Sequence, residues 1–174
     1  MSEMLDLLNK NGEKIGKISK NEAHQKGLWH KTIHAWIINS NNEILVQKRC
    51  EKKDYYPLVW DCSIGGHISF GETPLTSAVR EAREELGLNL NESDFKYVFT
   101  VKEELTYKDI NCKEFADVFI VNKDVNLNKL KFQKEEVESA KFIKLKEFFN
   151  NCFTNKFFPH IEEYEKLTKY FNYK

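Results

Sequence analysis

No net charge of either sign is left over in this chain: 27 Lys and Arg stand against 27 Asp and Glu, a formal net charge of zero at pH 7. That balance removes the global positive field by which a protein gathers on a nucleic-acid polymer, although local clusters can still act. No apolar run approaches the roughly 18 residues that a membrane-spanning helix needs, so no membrane span is expected. The opening MSEMLDLLNK carries an acid early and only a short apolar patch, which is not the pattern of a secretory signal peptide. Cys50, Cys62, Cys112 and Cys152 are widely spaced and form no CxxC pair, and they read as reduced thiols of a cytoplasmic protein. Internal repeats and low-complexity linkers are also missing. What is present is 174 residues with 41% hydrophobic content, expected to form one domain with a real core.

Turn chemistry and periodicity divide the chain. Met4 to Leu8 and Lys14 to Ile18 flank Asn9-Lys10-Asn11-Gly12 and predict an N-terminal hairpin over about 4–18. Thr32 to Ile38 and Glu43 to Gln47, joined by the polar turn at 39–42, predict two strands of an antiparallel pair. Cys62 to Ile68 is a short apolar segment leading into a glycine loop. Phe95 to Tyr107 and Lys113 to Val121 are β-rich, and Ala140 to Leu145 is a last strand. A final helix is expected from Pro159 to Phe171, with His160, Tyr164, Leu167 and Phe171 on one face as core packing. Strands mixed with two or three helices predict an α/β fold, a central mixed sheet covered by helices.

A further helix carries the chemistry. Thr73 is a suitable N-cap, Pro74 suits the first helical position and Gly87 is a stop. At about 100° per residue, Leu75, Ala78, Val79, Ala82 and Leu86 fall in one arc, a buried stripe. Glu81, Glu84 and Glu85 fall in a second arc, nearly opposite. Carboxylates three and four residues apart repel one another, and hard Mg²⁺ or Mn²⁺ ions turn that repulsion into binding. Arg80 can pair with Glu84 one turn on. Carboxylates alone are equally a solvated acidic face, with Arg80 and Arg83 as surface partners. Gly65-Gly66 tilts the balance, because two glycines let backbone approach a ligand closely, and Gly71 and Glu72 then lead into the helix.

Gly66, five residues, Glu72, seven residues, then Arg80-Glu81-Ala82-Arg83-Glu84-Glu85-Leu86-Gly87-Leu88 resembles the Nudix box, G-x5-E-x7-R-E-U-x-E-E-x-G-U, where U is a bulky aliphatic. Every fixed position matches, and Ala82 at a U position is a soft departure. The resemblance implies a Nudix-type α/β/α sandwich and hydrolysis of a diphosphate linkage in a nucleoside diphosphate derivative or a related small-molecule diphosphate. It also implies Mg²⁺ or Mn²⁺ held by Glu81, Glu84 and Glu85. Nudix relatives are often dimers, so a homodimer is an expectation. Glu84 or Glu85 could take the proton from the attacking water, or Glu114 from outside the box, with Glu103 and Glu104 behind it.

The similarity extends over roughly residues 4–145. His24-x5-His30, Gln47-Lys48-Arg49, Pro57-x2-Trp60 and Gly66-His67 look like the isopentenyl-diphosphate isomerase branch of the superfamily. Carried over, a histidine-rich metal site would fall on His24, His30, His67 and Glu114, and a diphosphate grip on Lys20, Arg49 and Lys53. Three positions depart from that branch. Gly65 stands where the isomerase has its catalytic cysteine, Phe142 where it has a tryptophan, and Cys112 where it has a metal-ligand glutamate. Cys62 lies three residues before Gly65, which on an extended strand is roughly 10 Å away on the opposite face. The missing thiol and the intact carboxylates point to hydrolysis, with isopentenyl-diphosphate isomerisation as the alternative. Other readings stay open. Lys48, Arg49, Lys52 and Lys53 are a solvated basic run or a phosphate clamp. Tyr55, Tyr56 and Trp60 pack or stack on a base, and His34 packs.

Overall fold

The computed structural model of the chain describes residues 3–173. β1 (Met4–Leu8) and β2 (Lys14–Ser19) form the expected hairpin, with Asn9 Oδ1 accepting from the backbone N–H groups of Asn11 and Glu13. Ser19 then caps α1 (Lys20–Lys26), which Gly27 closes at φ 59°. Apolar periodicity could not announce this helix, because Ala23 is its one buried residue; its caps define it.

The remaining strands are β3 (Trp29–Ile38), β4 (Glu43–Arg49), β5 (Trp60–Asp61), β6 (Ile64–His67), β7 (Phe95–Tyr107), β8 (Ile110–Asn122) and β9 (Val137–Lys144). They make one seven-stranded mixed sheet in the order β5-β4-β3-β8-β7, with β6 added against β3 and β9 against β4. The expected β3–β4 pairing is confined to one register pair, Ile38↔Ile44. Beyond it the strands part: β3 runs parallel to β8 and antiparallel to β6, while β4 runs antiparallel to β9 and β5. The turn at 39–42 is local and legible, but the choice of partner is made by distant strands that cover both sides of β3.

Three further helices flank the sheet: α2 (Pro74–Leu86), α3 (Leu145–Asn151) and α4 (Ile161–Tyr170). Alternation along β3 sorts its side chains between two cores. Ile33, Ala35 and Ile37 meet Ala78, Ala82 and Leu86 of α2. Trp36 and Ile38 meet Phe148 of α3 and Tyr164 and Leu167 of α4. The fold is therefore the expected α/β/α sandwich. On the α4 side the sheet face changes character along its length. Trp36, Val118 and Ile120 are apolar and buried; toward the other end stand His34, Thr32, His30, Glu114 and Cys112, also buried. That polar end is where the functional site lies.

Candidate active site

α2 is fixed at both ends. Thr73 Oγ1 accepts from the Thr76 N–H and Thr76 Oγ1 accepts from the Thr73 N–H, and Gly87 closes the helix at φ 67°. Its three carboxylates are not equivalent, which corrects the expectation that all three lie nearly opposite the buried stripe. Glu81 and Glu85 are buried, at 9% and 4% exposure, while Glu84 is exposed. On the wheel Glu85 lies about 20° from Ala78, so this edge of the acidic arc runs under β6.

Gly65 and Gly66 meet that edge. Glu85 Oε2 accepts from the Gly65 N–H at 3.1 Å and from Gln47 Nε2 at 3.2 Å. A Cβ on Gly66 would sit 2.2 Å from the Glu81 carboxyl group, so the glycine is what lets the carboxylate lie there. Burial, only partly offset by Arg80, raises Glu81 to about 7; burial and the charge of Glu81 raise Glu85 to about 8. Two buried acids one turn apart, with oxygen the only donor, fit a hard divalent cation such as Mg²⁺ or Mn²⁺.

Arg80 organises this edge. Burial disfavours its charge, but its hydrogen bonds to Glu72 and the charge of Glu81 more than offset that, and its pKa is raised. It reaches Glu72 Oε2 at 3.1 Å, Glu81 Oε1 at 2.7 Å, Glu84 Oε2 at 3.1 Å and the His67 carbonyl at 3.0 Å. The expected Arg80–Glu84 pair is thus one part of a wider clamp. Arg80, Glu81, Glu84 and Glu85 form one wall of a pocket of about 260 Å³ that continues past Lys20, Lys53, Gln47, Gly65, Gly66 and His67 to His34, Asp61 and His160.

His24, His30, His67 and Glu114, drawn from α1, β3, β6 and β8, converge beside the pocket. His24 Nε2 lies 3.1 Å from His67 Nε2, and Glu114 Oε1 lies 3.3 Å from His30 Nε2 and 3.9 Å from His67 Nε2. Register places them: His30 faces Glu114 across β3–β8, and Thr32 faces His67 across β3–β6. Burial, then the neighbouring His30, lowers His24 to about 4. Burial opposes the charge of Glu114, yet the adjacent histidines hold its carboxyl well below the usual range. Cys112 joins them, its thiol donating to Glu114 Oε1 at 2.7 Å.

The pocket floor is a buried ionic network that sequence reasoning missed. Asp61 accepts from Arg49 at 2.9 Å and pairs with His160 Nε2 at 3.0 Å; His160 Nδ1 pairs with Glu103 at 2.9 Å. His34 Nδ1 pairs with Glu163 at 2.6 Å, and Glu163 also accepts from Trp36 Nε1 at 2.6 Å. His34 and His160 therefore pack, as expected, with ring centroids 4.4 Å apart, but as ion-paired groups. One available signal was a histidine at the head of the α4 face that Tyr164 and Leu167 share, with Glu163 one turn on.

The other candidates divide. Lys20 and Lys53 line the pocket, paired with Glu3 and Glu136 respectively. Arg49 lies in the floor, but its donors are committed to Asp61 and to the Tyr55 and Tyr56 carbonyls, so it holds the 55–56 loop rather than reaching outward. Glu103 is buried on His160, while Glu104, next along β7, points to solvent and Lys113. Lys48 pairs with Glu138 and Lys52 is exposed. Tyr55 and Tyr56 pack on Phe158, and Trp60 lies under Lys141. Phe142 packs beside Leu45 and α2, away from the pocket. The expectation for Cys62 is overturned. The chain turns between β5 and β6 instead of running extended, and Cys62 Sγ lies 2.9 Å from where a Gly65 Cβ would stand.

A helix-flanked mixed sheet with a carboxylate helix set under a glycine pair is the arrangement that the resemblance to the Nudix box implies. Comparison with known proteins gives the family. The NUDIX domain model matches residues 28–167. The chain is 40% identical over 156 residues to Nudix hydrolase 3 of Arabidopsis thaliana, covering 85% of this chain and 20% of that protein. It is 35% identical to the uncharacterized Nudix hydrolase lmo0368 of Listeria monocytogenes, covering 91% and 89% respectively. It is 34% identical to isopentenyl-diphosphate Delta-isomerase 1 of Photorhabdus laumondii, covering 83% and 81%. The MutT protein of Methanosarcina mazei shares the fold at TM-score 0.66 and 21% identity, covering 84% of this chain and 96% of that one. The chain belongs to the Nudix family, and its relatives include proteins named as hydrolases and one named as an isomerase. It spans about a fifth of the length of the Arabidopsis relative. Among the described residues no helix is long and apolar enough to cross a membrane.

Proposed function

We propose that this Nudix hydrolase cleaves the diphosphate linkage of a polar small molecule, a nucleoside diphosphate derivative or a related organic pyrophosphate, with Mg²⁺ or Mn²⁺. The observation that carries this reading is the buried Glu81–Glu85 pair under Gly65-Gly66, at the edge of a pocket that also presents Lys20, Lys53 and Arg80. Glu81 and Glu85 are the residues that would hold the ion. When bound it neutralises diphosphate oxygens and acidifies a water. Gln47 and the Gly65 N–H fix one oxygen of Glu85 and leave the other for the ion. Lys20 and Lys53 supply positive charge for the phosphates. Glu84, exposed and oriented by Arg80, takes the proton as water oxygen bonds to phosphorus and the bridging P–O bond breaks. The four free, buried thiols are compatible with a cytoplasmic setting, and the whole chain is read as one domain.

Isomerisation gains one observation, the nearness of Cys62 to Gly65. Two others oppose it. Burial pushes the Cys62 thiol up, away from the thiolate. The floor is built of Asp61, Arg49, His34 and His160, which suits a hydroxylated moiety and not an isoprenyl chain. The test is a panel of nucleoside diphosphates, dinucleotides, nucleotide sugars and prenyl diphosphates with Mg²⁺ and Mn²⁺. Phosphate or monophosphate release from a polar member, reduced at least about 100-fold in Glu85→Gln, is expected. A folded Glu85→Gln protein with full activity, or conversion of isopentenyl to dimethylallyl diphosphate without hydrolysis of any member, refutes the proposal.

A further inference from the structure

Among the described residues, the ligand atoms of His24, His30, Cys112 and Glu114 all lie within 4.8 Å of one another, and His67 Nε2 stands 3.1 Å from His24 Nε2. Four donors around a tetrahedral ion at 2.0–2.3 Å stand about 3.3–3.8 Å apart, so closure takes shifts of about 1 Å at the widest pair. His30 is the most informative member. It is fully buried, and its Nδ1 meets the Leu28 carbonyl at 2.9 Å. That contact puts the hydrogen on Nδ1 and leaves the Nε2 lone pair facing the cluster. Nε2 makes no hydrogen bond, although Glu114 Oε1 is 3.3 Å away. A ring anchored through one nitrogen to a carbonyl, with the other nitrogen buried and unpartnered, has the form of a metal-ligating histidine.

The isomerase resemblance implies a glutamate at position 112, an oxygen donor; this chain has a cysteine whose sulfur is in the cluster. We propose that Cys112 ligates through sulfur and makes this a mixed nitrogen, sulfur and oxygen site selective for Zn²⁺-class ions. It is distinct from the all-oxygen site on Glu81 and Glu85. The pocket therefore has two cation sites of opposite preference: imidazole and thiolate hold Zn²⁺ or Co²⁺, whereas carboxylates alone suit Mg²⁺ or Mn²⁺. On binding, the Cys112 S–H bond breaks, an Sγ–metal bond forms, and the proton passes through Glu114 Oε1, its present acceptor at 2.7 Å, to solvent. His67 and Glu114 line the pocket, which gives the ion a way in. The inference stands on these residues whether or not the hydrolase reading holds.

Co²⁺ alone, added to the metal-stripped full chain, is the probe. A near-ultraviolet sulfur-to-cobalt charge-transfer band is expected. It should be absent in Cys112→Ser, present in Cys62→Ser, and unchanged in Glu85→Gln even where hydrolysis is lost. Competition with Zn²⁺ should show affinity in Cys112→Ser reduced by at least roughly 10- to 100-fold, the loss that even an outlying change around a metal site produces. Cys112→Glu, which restores an oxygen donor, should move the preference from Zn²⁺ toward Mn²⁺. Circular dichroism and Tm of each variant separate loss of a ligand from loss of the fold. A folded protein without the band, a band that survives Cys112→Ser, or equal Zn²⁺ affinity in folded Cys112→Ser and the parent overturns the proposal.

Discussion

Replacing Gly66 by alanine puts one methyl group where the Glu81 carboxyl lies. The new Cβ would be 2.2 Å from that carboxyl carbon and oxygen, whereas ordinary contact begins at 3.4 Å, so something must yield by about 1.2 Å. Glu81 has little room to do so, being 9% exposed and held by Arg80 at 2.7 Å. Overpacking of this kind costs about 1–3 kcal/mol, which for a chain of this size lowers Tm by about 3–10 °C. A displacement of about 1 Å at a reacting centre costs about 100-fold in rate. The expected kcat/KM is therefore down about 100-fold, a loss of about 2.7 kcal/mol in transition-state stabilisation. Differential scanning fluorimetry reads the stability loss, phosphate-release kinetics the rate, and Mg²⁺ titration by calorimetry the weaker binding expected when Glu81 is displaced. Gly16→Ala is the control, since its Cβ would meet only Leu7 Cδ2, at 3.8 Å. Adding Glu81→Asp to Gly66→Ala removes a methylene and should return much of the Tm without the activity. Unchanged Mg²⁺ affinity and rate in folded Gly66→Ala would refute the reasoning.

Two predictions concern the buried floor. Glu163→Gln removes the charge that His34 faces at 2.6 Å and should cost about 3–5 kcal/mol, visible as a urea midpoint shift; a midpoint within error of the parent rejects it. The His160 network gives stability a pH window. Glu103 and Asp61 overcome burial to raise the His160 pKa above its ordinary 6.5, so this contribution is complete below 6.5 and lost as pH rises through the raised value. Burial opposes the Asp61 charge, but His160 and Arg49 depress its pKa below the ordinary 3.8, so that contribution holds above 3.8 and fades as pH falls through the depressed value. Tm should be highest between about pH 4 and 6.5, and the alkaline decline should flatten in His160→Gln; an identical decline in the variant would exclude the network as its source.

The parts of this molecule legible in the sequence are those written in local rules. The hairpin at 4–18, the capped helix from Pro74 to Leu86 and the long strands β7 and β8 each carry their own turn, cap or alternation signal. The pairing of β3 with β8 rather than β4 is a long-range choice, and short α1 has too little buried surface to show a period. The same division holds within the site. Glu81, Glu84, Glu85 and Arg80 follow from one helix and its flanking glycines. Asp61 comes from β5, Glu103 from β7, and His160 and Glu163 from the start of α4, and each looks ordinary until the fold joins them beneath the pocket.

The contact between Cys62 and Gly65 makes these positions mutually dependent. One small vacancy accepts a side chain from either position but not from both, because a Cβ at 65 would meet the Cys62 sulfur at 2.9 Å. A cysteine introduced at 65 alone should be a misfit, and a glycine at 62 alone a void. The paired exchange, Cys62→Gly with Gly65→Cys, keeps the volume and moves the thiol from one strand end to the next. Between this chain and its isomerase-like relatives, the two sites are therefore expected to change together, a case of epistasis enforced by a space the size of one sulfur atom.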